Sequence, residues 1–121
     1  MLKEEYCKKI RSDCKKAGTY RPFFDSVIDT LAGILARRDE AEQQFIKSGA
    51  HPVIAYTNKG GATNFVANPA LQVVRGLEAD ALAYWRDLGL TPAGLRRINE
   101  DNLKERKRSA LADALKDLEK A

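Results

Sequence analysis

The 121-residue chain is 44% hydrophobic and 31% charged, with eight glycines, four prolines and a formal net charge of +4. That length predicts one domain, since single domains cluster near roughly 100–150 residues, and no run approaches the roughly 18–20 apolar residues of a membrane span. The opening Met1-Leu2-Lys3-Glu4-Glu5 is charged and has no apolar core of a secretory signal, so the expected setting is the cytoplasm.

Leu2, Tyr6 and Ile10 recur every four residues, which predicts a short amphipathic helix ending near Ala17, with Gly18 just beyond it. Pro22 suits a first helical turn, and Phe23, Phe24, Val27, Ile28, Leu31, Ile34, Leu35, Ala41, Phe45 and Ile46 then keep helical spacing. Gly49 supplies the stop. Next, Val53–Thr57 and Ala62–Val66 flank Asn58-Lys59-Gly60-Gly61, the pattern of a β-hairpin or an extended excursion around a turn. Asn68-Pro69 starts a third helix, because Asn caps free amides and Pro lacks only a donor that would be unpaired there. That helix carries Leu71, Val74, Leu77, Ala81, Leu82, Trp85 and Leu88 and stops at Gly89. Thr91-Pro92 repeats the same start ahead of Leu95 and Ile98. Asn99-Glu100-Asp101-Asn102 is expected to weaken this fourth helix and leave a separate or frayed tail with Leu111, Leu115 and Leu118 as a thin apolar stripe.

The expected fold is mainly α. A long antiparallel helical hairpin carries the excursion between its helices, with short helices at both ends. The expected organisation is a basic N-terminal helix (1–19), a central helical oligomerisation domain (20–98) and a charged C-terminal tail (99–121). The two long helices hold more apolar positions than they can bury against each other. Self-association hides that surface; a C-terminal helix folding back over it is the alternative.

Catalytic chemistry finds little support. Lys59 precedes Gly60-Gly61 and no Gly-Lys-Ser/Thr opens the next helix, so the glycines serve a turn rather than a phosphate loop. Asp25, Asp29, Asp39 and Glu40 read as partners in salt bridges on a solvated face near Arg37 and Arg38. Cys7 and Cys14 have no histidine near them in sequence and read as reduced, partly packed thiols. His51, beside Pro52, reads as a loop residue, and no metal set or cofactor site is expected.

Charge is distributed unevenly: +4 over residues 1–21, −2 over 22–95, +3 over 96–108 and −1 over 109–121. Lys8, Lys9, Arg11, Lys15 and Lys16 make one basic group, and Arg96, Arg97, Lys104, Arg106, Lys107 and Arg108 a second. Such groups neutralise phosphates without reading base sequence; solvated helix faces are the alternative.

Two stretches add to this. Tyr56-Thr57-Asn58-Lys59-Gly60-Gly61-Ala62-Thr63-Asn64-Phe65-Val66-Ala67-Asn68-Pro69-Ala70-Leu71 and Leu88-Gly89-Leu90-Thr91-Pro92-Ala93-Gly94-Leu95-Arg96-Arg97-Ile98 resemble, in order and spacing, the two signatures of a tailed-bacteriophage terminase small-subunit family. Tyr20-Arg21-Pro22-Phe23-Phe24 running into a long helix is similar too, so the resemblance spans about residues 20–98. It implies a non-enzymatic packaging factor in the host bacterial cytoplasm, a ring of roughly eight to ten copies with cyclic symmetry. Its implied partners are viral double-stranded DNA and the terminase large subunit, which carries the ATPase and nuclease. The resemblance matches Asn58, Gly60, Gly61, Asn64, Asn68, Pro69, Gly89, Thr91 and Pro92 to the family pattern without giving them contacts. A non-catalytic helical-hairpin adaptor that binds only protein partners is the alternative.

Overall fold

A computed structural model describes residues 1–120. In chain order the elements are α1 (Lys3–Ala17), a 3₁₀ turn (Pro22–Phe24), α2 (Asp25–Lys47), β1 (Val53–Thr57), β2 (Thr63–Ala67), α3 (Pro69–Asp87) and α4 (Pro92–Lys120). The chain is mainly helical, with one small antiparallel sheet set between α2 and α3. No helix among the described residues is long and apolar enough to cross a membrane.

The helix ends follow from local chemistry. Gly18 closes α1 in the left-handed conformation (φ 76°), and the next amide, Thr19 N–H, donates to the Cys14 carbonyl at 2.9 Å. Gly49 (φ 110°) and Gly89 (φ 74°) follow α2 and α3 in the same way. Asn68 Oδ1 accepts from the Ala70 amide at 3.0 Å and caps α3, and Thr91 Oγ1 accepts from the Gly94 amide at 3.0 Å and caps α4.

One core joins three helices. Tyr6, Ile10 and Cys14 of α1, Ile28, Leu31, Ala32, Ile34 and Leu35 of α2, and Ala81 of α3 with Leu88 at its end are buried together. The first half of α2 thus meets the last half of α3, the pattern that oppositely running neighbours produce. The stripe on α1 is shifted from the expected one. Leu2 lies at the helix cap and is exposed, whereas Cys14, read as partly packed, is fully buried. Phe23 and Ile46 are exposed as well, because they lie at the two ends of the apolar stripe, outside the buried stretch of α2.

α4 corrects the expectation of a short helix and a frayed tail: it is one continuous 29-residue helix. Asn and Asp each cost a helix interior only about 0.7 kcal/mol relative to Ala, too little to break it at Asn99–Asn102. Every residue from Asn99 to Lys120 is exposed, including Leu111, Leu115 and Leu118. The corner before it is tight. A Cβ on Gly89 would come within 2.8 Å of both Ile98 Cδ1 and Thr19 Cγ2, and one on Gly94 would run into the Arg86 carbonyl.

Candidate nucleic-acid interface

α1 is held on α2 by polar contacts as well as by its apolar stripe. Lys3 Nζ lies 3.1 Å from Asp29, Arg11 Nε lies 3.3 Å from Asp25, and the Tyr20 hydroxyl donates to Asp25 at 2.9 Å. At the other end the Tyr6 hydroxyl donates to Asp39 at 2.6 Å, joined by Arg38 Nε at 3.1 Å and the Met1 amino group at 3.2 Å. Asp25, Asp29 and Asp39 therefore do form salt bridges, as expected, while Glu40 forms none among the described residues; Lys3 and Arg11 come from α1, the Met1 amine from just ahead of it, and only Arg38 is a neighbour on α2.

Burial works against the Asp39 carboxylate, yet the hydrogen bonds from Tyr6 and the Met1 amine, with the charge of Arg38, outweigh it. Together they hold Asp39 below the ordinary carboxylate range. A carboxylate depressed in the folded state adds stability above its unfolded pKa and loses it as pH falls through the folded value. Asp39→Asn is therefore expected to cost about 1 kcal/mol near neutrality and to flatten the acid limb of stability against pH, measured by thermal unfolding across a pH series. An acid limb as steep as the parent's would show that other carboxylates dominate it.

With α1 fixed, its basic residues divide, Arg11 being already engaged with Asp25. Lys8, Arg11, Ser12, Lys15 and Lys16 line one open depression with no acid among them, at spacings that share a helix face. Lys15 Nζ stands 5.1 Å from the centre of the Tyr20 ring, a contact that steadies it without removing its charge. Lys9 does not belong to this group: it is paired with Asp13 at 2.9 Å.

The second basic group is spread along α4 rather than gathered. Arg96 lines a shallow groove with Leu95 and Leu103, while Arg97 shares a hollow with Arg86, Asp87 and Asp101. Lys104, Arg106, Lys107 and Arg108 are exposed, with Arg108 only loosely paired to Glu105 at 4.0 Å. Arg106 lines a hollow with Arg21 of the α1–α2 connection. Arg21 was not among the expected site residues. It is one of the seven cations of residues 1–21, but only the fold brings it to a side chain 85 positions further along the chain.

Asn58, Gly61 and Asn68 are accounted for inside the chain. Asn58 Oδ1 accepts from the Gly60 amide at 2.9 Å and the Ala62 amide at 3.1 Å, building the turn. Gly61 (φ 82°) needs the left-handed region and Gly60 does not. Asn68 both caps α3 and donates from Nδ2 to the His51 carbonyl at 2.8 Å, closing the base of the hairpin. Pro69 and Pro92 open α3 and α4, whereas Asn64 is exposed on β2.

The remaining chemistry is quiet. Burial pushes both thiols up, Cys14 being fully enclosed and Cys7 half-buried beside Asp29, so neighbouring lysines do not activate them. Among the described residues no three His, Cys, Asp or Glu side chains are grouped to hold a metal ion.

A family model described as phage terminase, small subunit, matches residues 3–105. The match takes in α1 and its cations, which lay outside the stretches of sequence resemblance, and ends just before Arg106. No curated protein and no solved structure matches the chain significantly.

Proposed function

The chain belongs to the phage terminase small-subunit family, and from that premise we propose that it is the non-catalytic DNA-engaging component of the packaging machinery. In this reading it assembles into a ring of roughly eight to ten copies in the host bacterial cytoplasm. The ring binds viral double-stranded DNA through α1 and brings the genome to the large ATPase and nuclease subunit. Family membership carries the packaging role. The α1 face carries the DNA contact: Lys8, Lys15 and Lys16 have no acid beside them in their depression, and Arg11 next to them pairs with Asp25, on a helix locked to the core at both ends.

One such face binds weakly, but copies repeated around a ring multiply the effect through their shared geometry. α4 supports the rest of the reading. It presents 22 consecutive exposed residues, among them Leu111, Leu115 and Leu118, which suits contact with the large subunit.

The test pairs a mass measurement with duplex DNA retention at several salt concentrations. Expected are an assembly many times the 13.5 kDa chain mass and a log K that falls linearly with log salt, about 0.9 per phosphate contact. A stable assembly that ignores duplex DNA at low salt would favour the adaptor that binds only protein.

A further inference from the structure

The β-hairpin is built unlike a strand pair meant to face water. β1 (Val53-Ile54-Ala55-Tyr56-Thr57) and β2 (Thr63-Asn64-Phe65-Val66-Ala67) contain no charged residue and no proline. Phe65 is 81% exposed, Tyr56 57% and Val53 53%. Apolar side chains occupy both faces, Val53, Ala55, Phe65 and Ala67 on one and Ile54, Tyr56 and Val66 on the other. A two-stranded sheet with neither face covered is marginal in water, and free edges are ordinarily blunted by charge, proline or a covering element. Here none of these devices is present.

The register fixes which backbone groups are free. The Asn58 amide donates to the Ala62 carbonyl and the Asn68 amide to the Pro52 carbonyl, both at 2.9 Å, at the two ends of the ladder. Antiparallel pairs alternate, so Tyr56↔Asn64 and Ile54↔Val66 are the hydrogen-bonded pairs between them. The N–H and C=O groups of Val53, Ala55 and Thr57 therefore point out along one edge, and those of Thr63, Phe65 and Ala67 along the other.

We propose that the outer edge of β2 in one copy pairs with the outer edge of β1 in the next, so that the hairpins form one continuous intersubunit sheet. The inference rests on the assembly proposed above and names its seam. The two edges complement each other. Both are five residues long and uncharged, and they run in opposite directions. In a cyclic assembly every copy points the same way along the axis, so β2 of one copy meets β1 of its neighbour antiparallel. A foreign extended peptide would cover one edge and leave the other open, whereas a second copy of this chain, repeated around the ring, covers both.

Hydrogen exchange at single-residue resolution on the full chain without DNA, alongside light scattering, tests this. In the assembly the outward amides of Ala55, Thr57, Thr63 and Phe65 should be protected to within about tenfold of the inward amides of Ile54, Tyr56, Asn64 and Val66. Ala55→Pro removes an outward donor and no bond within the hairpin. It should therefore abolish that protection and reduce the assembled mass while helical circular dichroism persists. An assembled parent whose outward amides exchange like open ones overturns the seam and leaves the ring standing. So does an Ala55→Pro variant that assembles with the parent's protection. A parent that stays a 13.5 kDa monomer at micromolar concentration overturns both.

Discussion

Reversing Lys8, Lys15 and Lys16 to glutamate is expected to lower duplex DNA affinity by on the order of a hundredfold or more near 0.1 M salt and to flatten the slope of log K against log salt by about 2–3. The three lysines share the acid-free face of α1. Arg11 lies on the same face but is left in place, because it pairs with Asp25 at 3.3 Å and its reversal would set two acids together and loosen α1. Lys9→Glu is the internal control: Lys9 is already paired with Asp13 and lies off the face, so the slope should change by no more than about one contact. Reversing Arg106, Lys107 and Arg108 should have a separate and smaller effect, since these groups ride on an exposed helix with Glu105 among them. Gel shifts over a salt series, with assembly checked by light scattering, give the answer. If the α1 triple variant binds as the parent does, α1 is not the DNA surface. Arg21 with Arg106 then comes first, followed by Arg37 and Lys59; Arg38 is engaged with Asp39.

What the sequence reveals here is mostly what is local. Gly18, Gly49 and Gly89 end helices, and Asn68-Pro69 and Thr91-Pro92 begin them, because capping depends on residues within one turn of each other. The hairpin turn is legible for the same reason. The site was harder to read. The pairings of α1 with α2 join residues 14 to 33 positions apart, and a charged residue on an amphipathic helix gives no sign of which residue on another helix it will meet. Lys9 and Lys8 do differ locally: Lys9 stands one helical turn from Asp13 and pairs with it, whereas Lys8 has the uncharged Ser12 at that spacing. The continuity of α4 is hard to see in the sequence because a run of Asn and Asp resembles a break unless the small size of each residue's cost is weighed.

Leu31→Ala is expected to cost about 2–5 kcal/mol, because Leu31 is 0% exposed at the centre of the three-helix core and its removal leaves a cavity. The same loss in a large domain would be tolerable. Here the core comprises ten buried residues, while the hairpin and the 22 exposed residues of α4 lie outside it. Total stability for a domain of this size is about 5–15 kcal/mol, so the variant removes a large share of it. The thermal midpoint should fall by roughly 10 °C or more. The proposed association would stabilise the folded form by mass action, so the parent's midpoint should rise with protein concentration and that of Leu31→Ala should recover partly when concentrated. Phe65→Ala supplies the contrast. Its side chain lies outside the core and is largely exposed, so stability at high dilution should stay within about 0.5 kcal/mol of the parent's while the concentration dependence of the midpoint flattens. Calorimetry over a hundredfold range of concentration separates the two behaviours. A midpoint independent of concentration in the parent would mean that the three-helix core sustains the fold unaided, and that the exposed apolar hairpin adds nothing to stability through neighbouring copies.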